Sequence, residues 1–304
     1  MKSKLLMIQG TSSGAGKSML VTALCRILTN KGFKVAPFKS QNMSSFTYKI
    51  ENTDKVIANA QAIQALASRA IPDSNMNPIL LKPIGNSKSR IYTNGEFSSV
   101  MEAKEYYSDF VLDKGLRIAL DAFRELRREY EIIILEGAGS PVEINIQKYD
   151  IANMIFANKV NAPVILVSDI ERGGCFASIL GTMMLLKPSH QRLVKGILIN
   201  KFRGDNTILF PAIKKIEPKI KKPFLGIIPK IYNNIPKEDS LDRENNGSEI
   251  KQRQRENKNK RTHGRSINKN DKIGKIDLDV EISRFAEKVE SSINMDYILK
   301  KIIG

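Results

Sequence analysis

Near the start of this 304-residue chain stands the run Gly10-Thr11-Ser12-Ser13-Gly14-Ala15-Gly16-Lys17-Ser18, which follows a short apolar stretch and precedes a helical one. A glycine loop that opens a helix presents backbone N–H groups and the positive helix end to phosphate. In such a loop Lys17 reaches the β- and γ-phosphates, and the Ser18 hydroxyl ligates Mg²⁺. Gly10, Thr11, Ser12, Gly14, Ala15 and Gly16 would form the cradle. The strict pattern G-x-x-x-x-G-K-[ST] puts glycine where Thr11 stands. Here the first glycine, Gly10, comes one residue earlier, so the loop is a variant in the correct context. ATP and Mg²⁺ are the expected ligands.

A metal beside phosphate needs an acidic partner. Glu136 ends the apolar run IIIL in IIILEGAGS, beside Gly137 and Gly139. Asp169 holds the same kind of position in LVSDIERGG. Sites in open α/β sheets form at the carboxyl ends of strands, so both are candidate Mg²⁺ ligands. Either could instead cap a helix. Lys39, in APFKSQNMS, would bring a second positive charge to the phosphates, or lie on the surface. Asn200 ends KGILIN, and its amide could pair with both edges of adenine or simply serve a turn.

These residues need a scaffold, and the apolar pattern supplies one. LLMIQ (5–9), KVAPF (34–38), IIIL (132–135), PVILVS (163–168), KGILIN (195–200) and FLGII (224–228) have strand length. Helices are expected from about 18 to 30, over 57–70 and through most of 102–129. Continuous apolar strands between helices predict a mostly parallel sheet of P-loop NTPase type, with helices on both faces. Three parts are expected along the chain: a P-loop domain over 1–241, a disordered basic linker over 242–276, and a helix over 277–304 that packs back on the main domain. In that last part Phe285, Val289, Ile293 and Ile298 recur at helical spacing.

The formal net charge of +17 suits nucleic acid or an anionic substrate. Much of the excess lies between Arg243 and Lys275, a stretch too poor in apolar residues to build a core. No aromatic residues interleave those charges as stacking platforms would require, so nucleic acid is not the expected partner. No apolar run of about 18 residues suggests a membrane span. The apolar start is too short for a signal-peptide core, and a cytoplasmic protein is expected. Cys25 and Cys175 make no disulfide framework. With only His190 and His263 beside them, nucleophilic catalysis has few candidates.

Together the segments GTSSGAGKS (10–18), APFKSQNMS (36–44), AQAIQA (60–65), MNPILLKP (76–83), LEGAGSPVEIN (135–145), DIANM (150–154), SDIERGGCFAS (168–178), INKFRGD (199–205), LGIIP (225–229) and PKEDSL (236–241) resemble the cobyric acid synthase family, in the dethiobiotin synthetase-like group of P-loop enzymes. The resemblance implies ATP-dependent amidation of peripheral carboxylates of a corrinoid diamide. ATP phosphorylates a carboxylate, and ammonia displaces phosphate from the acyl phosphate. It implies that Lys17 and Lys39, with Mg²⁺, neutralise charge on the transferring phosphoryl group. Two departures stand out. An acid and an arginine usual before and within the AQA helix are matched here by Val56 and Asn59. The motifs cover none of the family's usual glutamine amidotransferase domain, which is expected to be absent, so ammonia is expected to come free or from a separate glutaminase subunit. A homo-oligomer is compatible with this reading. Other readings are a partition-type ATPase, a cobyrinic acid a,c-diamide synthase or dethiobiotin synthetase, and a paralogue that binds ATP without amidating. Ser12 stands where a partition-type loop carries lysine, which speaks against the first.

Overall fold

Strand β1 (Lys4–Gly10) leads through the glycine loop into α1 (Lys17–Asn30) and β2 (Val35–Phe38) in the computed structural model of the chain. The structure describes residues 3–236 and 270–304, the first eight of the latter as backbone only. Three short strands follow, β3 (Gln41–Met43), β4 (Thr47–Lys49) and β5 (Val56–Ala58). Helix α2 is Asn59–Ala67. The helix expected over 57–70 is thus trimmed at both ends. Ile57 is a β-branched residue paired with Tyr48 in the β4–β5 ladder, and Ser68 closes the helix.

Next come β6 (Ile79–Gly85), β7 (Lys88–Thr93) and β8 (Glu96–Glu102). Helix α3 (Ala103–Glu105) runs through a π-helical segment, Tyr106–Gly115, into α4 (Leu116–Glu129). Strand β9 (Ile132–Glu136) is followed by α5 (Met154–Val160), β10 (Val164–Asp169), α6 (Cys175–Leu185) and α7 (Pro188–Leu193). Then come β11 (Val194–Phe202), α8 (Phe210–Ile220), β12 (Phe224–Pro229) and α9 (Asn270–Glu290).

The main sheet has six strands in the order β12-β11-β10-β1-β9-β2. Every pairing in it is parallel. The central stretches of its strands are apolar because both faces are covered. Leu5 and Met7 of β1, with Ile133 and Leu135 of β9, pack against Phe123 of α4 and Phe156 of α5. Their alternate neighbours Leu6, Ile8, Ile132 and Ile134 pack against Leu20, Leu24 and Leu28 of α1. The expected α/β sheet with helices on both faces is therefore the observed one.

Strand order also makes the crevice. After β1 the chain crosses one face through α1 towards β2. After β9 it crosses the other face through α5 to β10. The loops after β1 and β9 part at the carboxyl ends of adjacent strands, which is where open α/β sheets bind ligands.

A second sheet, β3-β6-β7-β8, is not among the expected elements. Its hairpin between β7 and β8 turns at Asn94 and Gly95, both with positive φ (50° and 86°). That dipeptide is a strong hairpin signal.

The C-terminal segment lies on α1. Ile282, Phe285, Ala286 and Val289 share an apolar cluster with Leu24 and Leu28. Arg26, fully buried in α1, pairs with Asp279, and Lys31 pairs with Glu290 at 2.7 Å. The single helix expected over 277–304 is broken. Helix α9 ends at Glu290, Ile293 bridges to Gly226, and short helical turns cover Met295–Tyr297 and Ile298–Ile303. The expected boundary at 276/277 falls inside α9. Most of the expected linker, and PKEDSL beyond Pro236, lies outside the described residues. Among the described residues no helix is long and apolar enough to cross a membrane.

Candidate nucleotide and metal site

The glycine loop is fastened from two sides. Thr11 donates its backbone N–H to Val167 O at 2.9 Å, and its hydroxyl lies 2.9 Å from Ser168 Oγ. Gly14 and Gly16 take left-handed conformations, φ +71° and +95°. At Gly16 space is closed as well, since a Cβ would sit 2.1 Å from Asn200 Nδ2. Gly16 brings no side chain to cap α1, and an uncapped helix start is what an anion requires. Lys17 is buried and bridges the two loops of the crevice. Its Nζ donates to Ser12 O at 3.1 Å and to Gly139 O, in the loop after β9, at 2.9 Å.

Glu136 is the centre of the site. Parallel pairing of β9 with β1 sets it opposite Ile8, and it is fully buried. Its Oε1 accepts from Ser18 Oγ at 2.7 Å and from Lys39 Nζ at 2.7 Å. Its Oε2 accepts from Gln64 Nε2 at 2.6 Å. Burial pushes this carboxyl up. The Lys39 charge and hydrogen bond, with those from Gln64 and Ser18, outweigh that and hold it below its ordinary value. The carboxylate therefore stays ionised. An ionised oxygen beside the Ser18 hydroxyl is a hard ligand of the kind Mg²⁺ prefers, on condition that Lys39 yields that oxygen to the metal.

The expected site residues divide into two groups. Ser18, Lys39 and Glu136 converge within hydrogen-bond distance, while Lys17 joins the loop after β1 to the loop after β9. Asp169 and Asn200 sit on the far side of the loop as braces. Asn200 Nδ2 donates to Ala15 O at 2.9 Å, and its Oδ1 accepts from Lys201 N at 2.9 Å. Asp169 Oδ2 pairs with Lys201 Nζ at 2.9 Å, and the same ammonium donates to Gly14 O at 2.6 Å. Among the described residues no three His, Cys, Asp or Glu side chains cluster as a metal site.

Sequence reading passed over Lys201, Gln64 and Asp150. Lys201 sits within INKFRGD, and its positive φ of 62° is unusual for a lysine. Gln64 sits within AQAIQA, on the helix that also carries the departure Asn59. Asp150 accepts from the Asn153 backbone N–H at 3.1 Å and side chain at 3.0 Å, and Asn153 Nδ2 donates to Ala138 O at 2.6 Å. This fastens the loop after β9 from below.

Burial, with Glu143 nearby, pushes the Asp150 carboxyl up to about 7, although its hydrogen bonds oppose the rise. The folded state then holds a proton that the unfolded chain releases near 4. Stability from this group is complete below about pH 4 and falls as pH rises towards 7, by a few kcal/mol at most. Asp150→Asn keeps the acceptor oxygen and removes the titration. Its melting temperature should decline less than the wild type's between about pH 4 and 7, as thermal unfolding across that range would show.

Residues 6–240 match the family described as CbiA, the CobQ/CobB/MinD/ParA nucleotide binding domain. The chain belongs to this nucleotide-binding domain family. Among its curated relatives, the "Probable cobyric acid synthase" of Thermococcus kodakarensis is 51% identical over 242 residues, covering 78% of this chain and 49% of the relative. The "Cobyric acid synthase" of Dehalococcoides mccartyi strain 195 is 50% identical over 241 residues, covering 78% and 47%. The resemblance carried by the motifs is borne out by these names. The chain spans about half the length of both relatives. Among solved structures, the signal recognition particle receptor FtsY of Elizabethkingia anophelis aligns at 15% identity and TM-score 0.46, over 76% of this chain and 60% of that one.

Proposed function

We propose that the chain is an ATP- and Mg²⁺-dependent carbon–nitrogen ligase unit that amidates peripheral carboxylates of a corrinoid a,c-diamide in cobalamin biosynthesis. One observation carries this reading. Ser18, Lys39 and Glu136 converge within hydrogen-bond distance beside a phosphate loop, in a chain half identical over 242 residues to a protein named as a cobyric acid synthase. ATP supplies the phosphoryl group, and Mg²⁺ supplies positive charge beside it. Ser18 and Glu136 would hold the metal. Lys17 would leave the carbonyls of Ser12 and Gly139 for phosphate oxygens, and Lys39 would add charge where the phosphoryl group passes to the carboxylate. This is catalysis by positioning and charge, and it needs no side-chain nucleophile. Asp169 and Asn200 would act by bracing the loop through Ala15 and Lys201, with the Asn200 amide at the base side.

The decisive assay incubates the purified protein with ATP, Mg²⁺, a corrinoid diamide and either ammonium or glutamine, then weighs the corrinoid by mass spectrometry. Stepwise conversion of acid to amide with ammonium is expected. No conversion, with nucleotide still bound, would favour the second reading, an ATP-binding paralogue. That reading rests on Val56 and Asn59. Val56 lies on β5 opposite Lys49, and Asn59 opens α2, so neither brings an acid or an arginine to the crevice.

Within these residues the thiols are unsuited to glutamine hydrolysis, so ammonia, free or delivered by a glutaminase, is the expected nitrogen donor. Burial pushes Cys25 up to about 12, and burial also raises Cys175. A buried thiol with a raised pKa is a poor nucleophile. His263 lies outside the described residues. Neither cysteine should react with a water-soluble thiol reagent in the native protein, and both should react once it is denatured. Rapid labelling of Cys175 in the native state, or glutamate release that Cys175→Ser abolishes, would reverse the assignment.

A further inference from the structure

The AQAIQA segment is absorbed by neither the phosphate loop nor the ion pair, yet its two glutamines end at the site carboxylate. Asn42 Nδ2, on β3, donates to Gln61 Oε1 at 3.0 Å. Gln61 Nε2 donates to Gln64 Oε1 at 3.3 Å. Gln64 Nε2 then donates to Glu136 Oε2 at 2.6 Å, and it also lies 3.4 Å from Ser18 O. Gln61 Nε2 itself lies 3.5 Å from Glu136 Oε2. All three amides are buried. Gln61 and Gln64 stand three apart on α2 and so share one helix face. The oxygens of Gln61 and Gln64 each receive the preceding amide, so the NH₂ groups run in sequence from Asn42 towards the carboxylate.

We infer that Gln64, oriented by Gln61 and Asn42, is a positioning residue that fixes the Glu136 carboxylate for the metal. The chemistry follows from the two oxygens. Oε1 faces the Ser18 hydroxyl and the Lys39 ammonium, the side from which a cation would be shared. Oε2 is turned the other way and is held by Gln64. An oxygen held from behind cannot swing, so the carboxylate presents one defined oxygen to the metal. Partners that orient a metal ligand in this way commonly change metal affinity 10–100-fold when removed. A merely space-filling Gln64 would be replaceable by leucine, and a buried amide with no such task would be costly to keep.

This inference rests on the metal-site reading above, and the experiment separates the two. ATP binding to the full-length protein is titrated with Mg²⁺, and in EDTA, for the wild type, Gln64→Leu and Gln61→Leu, with melting temperatures recorded for each. If Mg²⁺ does not strengthen ATP binding in the wild type, the metal reading itself fails. Given that it does, Gln64→Leu is expected to raise the Mg²⁺ concentration for half-saturation by about tenfold. That shift should exceed any change in metal-free affinity. Gln61→Leu should shift it in the same direction by less. A Mg²⁺ half-saturation left at the wild-type value in Gln64→Leu overturns the inference. So does a loss of ATP affinity that is equal with and without Mg²⁺, which would mark a structural role only. Should Gln64→Leu not fold, Gln61→Leu decides on the same readout, and an unshifted value there counts against the inference.

Discussion

Lys17→Ala should remove nearly all ATP-dependent turnover. The loss of one preorganised charged donor commonly costs roughly 10²–10³ in rate. Lys17 also spans the crevice, from Ser12 in the loop after β1 to Gly139 in the loop after β9. Its removal therefore takes away a phosphate partner and a link between the two walls. Each carbonyl that loses a donor weakens the fold by about 1 kcal/mol. A small fall in melting temperature should accompany a large fall in rate and a weaker ATP affinity. Steady-state phosphate release, a nucleotide-binding titration and a melting curve on one preparation check all three. A rate within twofold of wild type would sink the phosphate-loop assignment.

The part of this site that a sequence can show is the part written in local pattern. Strand, glycine loop and helix announce themselves in one continuous stretch, so Lys17 and Ser18 were legible. Glu136 was legible because it ends a buried apolar strand at the edge of a glycine turn. Its pairing with Lys39 was not, because 97 residues separate them and only the adjacency of β2 and β9 joins their strands. Asp169 ends β10 as Glu136 ends β9, whereas Asn200 lies two residues inside the end of β11, and such positions alone cannot tell a ligand from a brace. In the structure the neighbouring Lys201, with its left-handed backbone, meets both Asp169 and Gly14. The second sheet escaped notice for another reason. Its strands are short or half exposed, as in KSRIYT and EFSSVME, and they lack the continuous apolar runs of the main sheet. Only Asn94-Gly95 marks the hairpin locally.

Glu136→Gln should cost both activity and stability, and a double substitution should pull the two apart. The exchange keeps the size of the side chain but strips its charge. Lys39 is then left buried without its counter-ion, and breaking a buried pair on one side commonly destabilises by about 3–5 kcal/mol. Hydrogen bonding worsens as well. Ser18, Lys39 and Gln64 all donate to the carboxylate, whereas an amide has one accepting oxygen and must set its NH₂ group against a donor. Adding Lys39→Met removes the stranded charge, and replacing both members of a buried pair is often neutral for stability. The double variant Lys39→Met/Glu136→Gln should therefore melt close to the wild type while its Mg²⁺-dependent turnover stays as low as that of Glu136→Gln. Melting temperature and turnover measured side by side in the wild type, Glu136→Gln and the double variant give the answer. If turnover recovers along with stability in the double variant, the pair is structural, and the metal must be held elsewhere.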